Sequence, residues 1–316
     1  MNMKALFLGT AAAFAVVSGA QAADAIVAAA PEPMDYVKVC DAFGTGYFYI
    51  PGTETCLKIS GLVRMNIASS TGASGFTVSS RGQITFDTAN DSEYGKVWSS
   101  FYIRANRSND TLTWASQYKA GIGGFEFGYT DGKYDAISGG FTDNGGSWGS
   151  HAGHYLAYNF KAGDFGGYVS LDHDNNSLNY TPDLSAAVNF KAGDAYGALG
   201  IGYDESDSSV ALKGNVGTKF GAVGVRMMGA YANSATNAYW LGNDGWALGF
   251  GVSADVASNV NVALDYQYKN IATGTSSLII GDVAWAVAPG FKVLGEVSYL
   301  TSTEVTSGFV RFERKF

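Results

Sequence analysis

From residue 57 onward, apolar side chains alternate with small or polar ones, the period-two pattern of strands with one apolar face. Leu57, Ile59, Gly61, Val63, Met65 and Ile67 share one face, against Lys58, Ser60, Arg64 and Asn66, with Leu62 the exception. Trp246, Leu248, Phe250, Val252, Ala254 and Val256 repeat the pattern opposite Gly249, Gly251, Ser253 and Asp255. Val260, Val262, Leu264, Tyr266 and Tyr268 do so again, opposite Asn261, Asp265, Gln267 and Lys269. No stretch after Val17 carries a helical stripe.

Turn signals divide this region rhythmically. Tight connections are predicted at 91–95, 121–124, 162–164, 192–194, 220–222, 257–259 and 289–290. Longer polar loops are predicted around 69–75, 107–110, 131–151, 174–182, 204–208, 233–243, 270–275 and 301–304. Lys161-Ala162-Gly163-Asp164 recurs as Lys191-Ala192-Gly193-Asp194, an interval of two strands plus a loop, so the hairpin is the repeating unit. The intervening segments read as sixteen strands, near 57–68, 76–90, 95–106, 111–120, 124–130, 152–161, 165–173, 183–191, 195–203, 209–219, 223–232, 244–256, 259–269, 276–288, 291–300 and 305–316.

Composition decides where such a sheet lives. Charged residues are 15% of the chain, aromatics 14%, and the mean hydropathy is +0.02. Disorder calls for more charge and fewer aromatics, and a helical membrane bundle needs several long apolar runs. The net charge of −8 argues against a nucleic-acid partner, which needs a basic face. Strands of about ten residues, with short turns at one end and longer loops at the other, fit an outer-membrane barrel. Closure is then required, because an open sheet edge in hydrocarbon leaves backbone groups unpaired. The expected fold is all-β: a 16-stranded antiparallel transmembrane β-barrel with short periplasmic turns and one long constriction loop. Tyr129, Tyr231, Tyr268, Tyr299 and Phe316 lie near strand ends and suit interface girdles. A secreted β-sandwich or solenoid shares the alternation but not the two-ended loop rhythm.

The amino end reads as a targeting segment. Met1–Lys4 is basic, Ala5–Val17 is apolar, and Ala20-Gln21-Ala22 is an A-x-A site, so residues 1–22 are expected to be a signal peptide cleaved before Ala23. The apolar run is short for a membrane anchor. Removal of Lys4 leaves 28 acids against 19 bases, a charge of −9. Cys40 and Cys56 are the two cysteines, and an exported chain favours their pairing over metal binding, since no CxxC or neighbouring His accompanies them. A bridge closing about 15 residues stabilises by about 3 kcal/mol in the chain-entropy model. Residues 23–56 are expected to form a disulfide-held extension or to plug part of the lumen, ahead of a barrel over 57–316.

Tyr36-Val37-Lys38-Val39-Cys40-Asp41-Ala42-Phe43-Gly44, and then Gly46-Tyr47-Phe48-Tyr49-Ile50-Pro51-Gly52-Thr53-Glu54-Thr55-Cys56-Leu57-Lys58-Ile59-Ser60-Gly61, resemble the alphaproteobacterial porin family of Brucella and other Rhizobiales. The leader, Ala23-Asp24-Ala25-Ile26-Val27 and the closing Gly308–Phe316 are similar to the same family. The likeness is distinctive over residues 1–64 and the last strand, and architectural between them. It implies a 16-stranded homotrimeric porin in the outer membrane of a Gram-negative bacterium, set among lipid and lipopolysaccharide and passing ions and small hydrophilic solutes. It also implies a third external loop folded inward. The chain is shorter than members of that family and its loops are compact, which points to a wider or less selective pore. Phe316 suits the terminal aromatic of an outer-membrane assembly signal. Arg314, on the same face, is tolerated there at the membrane interface.

A diffusion pore needs a narrow wet aperture with fixed charges and no nucleophile or cofactor. The loop 131–151 is the expected constriction, with Asp131, Lys133, Tyr134, Asp135, Asp143, Trp148 and His151 as candidates. By strand parity Arg64, Arg81, Lys96, Arg104, Lys213 and Arg226 are expected to project inward opposite it. Glu126, Asp172, Asp255, Asp265, Asp282 and Glu296 share the inward parity and would tune the lumen. The acidic balance leans weakly toward cations. A substrate-selective channel, for instance for sugars, is the second reading, and a structural adhesin the third. Catalysis finds little support. His151 and His154 form an HxxH without further ligands, no serine is placed with an oriented base, and Gly121-Ile122-Gly123-Gly124 lacks a following helix.

Overall fold

The structure is a computed structural model that describes residues 37–137, 139–146, 148–149, 152–173, 181–237, 239 and 244–316. The expected signal peptide, most of residues 23–38 and His151 lie outside the described residues. Val39–Phe316 forms one compact unit, to which everything below refers.

A two-residue strand, β1 (Phe48–Tyr49), precedes sixteen long strands among the described residues. They are β2 (Cys56–Ser70), β3 (Thr77–Asn90), β4 (Val97–Ser108), β5 (Thr111–Ile122), β6 (Phe125–Thr130), β7 (Gly153–Ala162), β8 (Phe165–His173) and β9 (Asp183–Ala192). The second half comprises β10 (Ala195–Asp204), β11 (Ser209–Phe220), β12 (Val223–Ala232), β13 (Gly245–Ala257), β14 (Val260–Ile271), β15 (Gly274–Ala288), β16 (Phe291–Leu300) and β17 (Val305–Lys315). Each pairs antiparallel with the next, and β17 returns to β2 from Ser307↔Ser70 to Lys315↔Leu62. The sheet is therefore a closed 16-stranded barrel with every strand paired on both sides, the arrangement a hydrocarbon environment demands. Two connections expected to be longer loops are two-residue turns instead, at 109–110 and 272–273, because the strands run on to Ser108 and Ile271. The left-handed backbone of Asn109 (φ 51°) makes the first of these turns.

The alternation sorts side chains to the two faces of the wall. Val63, Trp114, Val188, Leu248 and Val297 are among the exposed apolar residues of the outer face. The outer rims differ chemically: Phe125, Phe165, Phe220, Phe291 and Phe316 ring the end with the tight turns, whereas Tyr203, Tyr231, Trp246 and Tyr299 ring the other. Aromatic side chains at both rims match the girdles of a barrel spanning two interfaces. Arg314 bonds the carbonyls of Pro289 and Lys315 at the turn end, away from mid-wall.

At the turn end the seam between β17 and β2 is finished by two devices. Phe316 exchanges backbone hydrogen bonds with Gly61 at 2.9 and 3.0 Å, and its ring rests where a Cβ on Gly61 would stand. Beyond Phe316, β1 pairs with the first residues of β2, Phe48↔Leu57 and Tyr49↔Cys56. The Cys40–Cys56 disulfide closes this clasp. Tyr47 lies beneath Lys58 Nζ and Phe43 beneath Lys96 Nζ, at 5.9 and 5.3 Å from the ring centroids. Described residues 39–56 are thus a small clasp on β2. We predict that Cys40→Ser leaves the barrel's β content unchanged but opens residues 41–55 to limited proteolysis, the loss of about 3 kcal/mol of loop-closure stabilisation. Unchanged cleavage rates would mean that β1 pairing alone holds the clasp.

Candidate functional site

The connection between β6 and β7 turns into the barrel and lies along the inside of the wall. Asp265 on β14 accepts hydrogen bonds from the Phe141 and Thr142 N–H groups at 2.8 and 2.6 Å, and from the Thr142 hydroxyl at 2.6 Å. Lys213 on β11, only 2% exposed, donates to the Trp148 and Gly149 carbonyls at 2.7 and 2.8 Å and stands 4.5 Å over the Tyr134 ring. Trp148 Nε1 donates to Gln267 at 2.8 Å. The Asn144 N–H donates to Glu296 at 3.2 Å, and its side-chain amide reaches the same carboxylate. Arg311 on β17 pairs with Asp143. Charged and amide groups of β11, β14, β16 and β17 therefore tie down a loop that β6 launches from another part of the wall.

The wall makes room for this loop by being small where the loop lies. A Cβ on Gly249 would stand 3.0 Å from the Trp148 ring, and one on Gly200 would collide with Ile137. Tyr134 and Trp148 are buried with Ala211, Met228, Ala230 and Ala247 in one apolar cluster. The cluster includes Tyr239, which belongs to the connection between β12 and β13 and is fully buried. Its hydroxyl donates to Asp172 at 2.8 Å, and its ring meets Tyr134 edge-on at 5.2 Å. Asp172 also accepts from Ser170 and Ser185, both at 2.6 Å. A second external connection thus contributes a side chain to the packing of the inward loop.

Starting from Arg311, the wall carries a row of arginines on consecutive strands: Arg311, Arg64, Arg81 and Arg104 on β17, β2, β3 and β4. Arg64 and Arg81 are direct cross-strand partners, where like charges repel. Arg64 is paired to Glu313 at 2.5 Å, and Arg311 to Asp143. Arg81 and Arg104 donate instead to the neutral amides of Asn106 and Gln83, at 2.8 and 2.9 Å. Those hydrogen bonds fix the guanidinium planes without cancelling their charge. The loop offers the opposite sign in Asp131, Asp135 and the partly exposed Asp143. Burial pushes the Asp135 carboxyl above the ordinary carboxylate range, with Lys213 drawing it partly back and Asp131 adding to the rise.

The residues singled out by sequence thus divide. Arg64, Arg81 and Arg104 line the wall together, while Lys213 and Arg226 lie beneath the loop, with Arg226 bonded to the Gly140 carbonyl and the Tyr196 hydroxyl. Lys96 is not in the row: β4 begins at Val97, so Lys96 ends the preceding turn and meets the clasp. Tyr134 and Trp148 are buried loop anchors, and Lys133 turns to Glu126 at 2.9 Å. Of the inward carboxylates, Asp172, Asp265, Asp282 and Glu296 are buried within the lumen, whereas Asp255 pairs with Lys219 at 2.8 Å near the turn end. Arg311, Glu313 and Tyr239 were missed. Alternation with outward Val310 and Phe312 marks Arg311 and Glu313 as inward, but nothing local marks Tyr239. His154 and His173 are cross-strand partners on the exposed outer face. Among the described residues no group of three or more His, Cys, Asp or Glu side chains is arranged to hold a metal ion.

Comparison with known proteins agrees with the barrel fold. Solved barrels share the fold: an engineered Rh. blastica porin superposes with a TM-score of 0.61 over 82% of this chain and all of its own, at 14% identity. A loop-deletion variant of OmpT, an outer-membrane protein of Vibrio cholerae, gives 0.64 over 84% of this chain and all of its own, also at 14% identity. In sequence the chain is 31% identical to porin Omp2b of Brucella suis biovar 1 and 32% identical to porin Omp2a of Brucella abortus strain S19, each over the full length of both chains. The model of the family described as the porin subfamily matches residues 24–313. By family match and by full-length relatives alike, this chain belongs to the porin subfamily.

Proposed function

We propose that the protein is a passive outer-membrane porin whose water-filled lumen lets ions and small hydrophilic solutes diffuse through a neck between the inward loop and the arginine row. What supports this reading is the loop itself, bound along the inner wall of a closed barrel, with its Asp143 paired to Arg311 and the guanidinium groups of Arg64, Arg81 and Arg104 following on the next three strands. Opposed fixed charges across a narrow wet passage order water and favour small polar solutes over apolar ones. The turn end, with its clasp and Phe316, faces the periplasm, and the leader over 1–22 directs export. Reconstitution into a planar bilayer tests the reading: the folded protein should give stable conductance steps. A folded, heat-modifiable barrel without steps would overturn it.

Steps in groups of three would mark a homotrimer. Its support is on the outer face of β3–β5, where Ser80, Gly82, Ala105 and Ser116 interrupt the apolar belt next to Trp114, which is 68% exposed. A dip beside a projecting indole suits packing against another copy better than packing against fluid lipid.

Asp135 supplies a finer test. Its raised pKa means that it loses charge earlier than an ordinary carboxyl as the pH falls from neutral. Acidification should therefore lower cation preference first through this group, and Asp135→Asn should start from that lowered preference and lack the early phase. Reversal potentials identical to wild type across the titration would remove Asp135 from the neck.

A further inference from the structure

Beneath the inward loop, on the arc from β5 to β12, lies a cavity of about 550 Å³ apart from the arginine row. Three cationic side chains line it, Lys119 and Lys133 beside the carboxylate of Glu126, and Arg226 on another part of the wall. Glu126 is already heavily engaged: it accepts from Lys133 at 2.9 Å, Tyr155 at 2.6 Å and Asn159 at 3.1 Å, with Lys119 3.9 Å away. Two ammonium groups therefore share one anion. Among the described residues Arg226 bonds neutral oxygens, the Tyr196 hydroxyl and the Gly140 carbonyl, both at 2.8 Å. The Tyr196 and Phe141 rings flank its guanidinium at 5.2 and 5.0 Å and keep it in place. The cavity is thus net positive in a chain whose total charge is strongly negative.

Its remaining lining is rich in amides. Asn189 and Asn215 both lie opposite Ala198, on the two strands that flank β10, so they stand at one level of the wall. Amide groups donate and accept, as hydroxyl-bearing solutes require. The volume falls within the range of small-molecule sites, and the lining combines fixed donors with aromatic surface.

We propose that this cavity is a weak binding station for a hydroxyl-rich organic anion of sugar-acid size, taken up after it passes the neck. The anion's carboxylate meets Lys119, and its hydroxyls meet amide and guanidinium donors further along the lining. Lys119 is the accessible cation, its side chain 41% exposed, whereas Lys133 is held against Glu126. The inference rests on the porin reading and names a solute class for its lumen.

The test uses the full-length channel in a planar bilayer under KCl, titrated with D-glucuronate, D-glucose (hydroxyls without charge) or acetate (charge without hydroxyls). Glucuronate should reduce the current saturably, while the other two should not. Lys119→Gln should retain conductance steps and raise the half-blocking glucuronate concentration about fivefold, the scale of one partly solvated charge contact. A linear, unsaturable reduction, equal block by glucose, or an unshifted midpoint in Lys119→Gln would overturn the proposal. Absence of steps in KCl would instead sink the porin reading. Calorimetric titration of the detergent-solubilised protein with glucuronate would then decide the station by itself, binding supporting it and no heat of binding overturning it.

Discussion

Lys213→Met is expected to release the carboxy-terminal half of the inward loop and raise single-channel conductance. The Lys213 ammonium makes two hydrogen bonds to the Trp148 and Gly149 carbonyls, in a place where water does not reach it. Burying a lysine is costly, but once it is buried, removing it takes from the Trp148 and Gly149 carbonyls the one side-chain donor they have among the described residues. The net weakening of the attachment should be about 3 kcal/mol, within the range seen when one partner of a buried charged contact is lost. Methionine keeps the volume, so the change tests the contacts of the ammonium group and not a void. The measurement is the conductance and open-channel noise of single steps. Wild-type conductance and noise in this variant would mean that Asp265 and Gln267 suffice to seat the loop.

The second large effect concerns charge. Arg81→Gln combined with Arg104→Gln should shift the reversal potential in a salt gradient toward cations. These two guanidinium groups bond amides and carry uncompensated charge, whereas Arg64 and Arg311 face carboxylates. A unit charge about 10 Å from a passing ion in water is worth about 0.4 kcal/mol, or about twofold in local ion concentration. The two charges act with opposite sign on anions and cations, so their effects on the permeability ratio multiply. Screening at 0.1 M has a length of about 10 Å, so the shift should grow as salt is diluted. Glutamine preserves hydrogen bonding to Asn106 and Gln83, which keeps the wall intact. An unchanged reversal potential at low salt would place the solute path away from the arginine row.

How much of this could be read in advance differs sharply between wall and neck. The sixteen strands, their order and the face taken by each residue followed from alternation, with ends displaced by a few residues. The Cys40–Cys56 pairing followed from compartment and count. Lys96 lies one residue before β4 begins and meets the clasp, a partner that parity along β4 does not reveal. For Lys213 and Arg226, parity named the right face but could not say whether that face would meet open water or a loop. Tyr134 and Trp148 read as polar-loop aromatics at an aperture and are buried as packing groups, against a wall that offers Ala211, Ala230, Ala247 and Gly249 where the rings lie.

The physical reason for this division is the range of the interactions. Successive Cβ atoms of a strand point to opposite faces, so each residue carries its own orientation, and a hairpin turn is encoded within a few positions. The amino-acid sequence alone therefore determined a two-faced, closed, sixteen-stranded wall with a disulfide ahead of it. The neck depends on groups that meet only after closure. Thr142 and Asp265 are separated by 123 positions, Asp143 and Arg311 by 168, and Tyr239 reaches Asp172 from another external connection. Their neighbours along the chain say nothing about these partners. Only the closed barrel, by bringing β14 and β17 within reach of the loop that follows β6, decided which side chains hold that loop and which are left facing water.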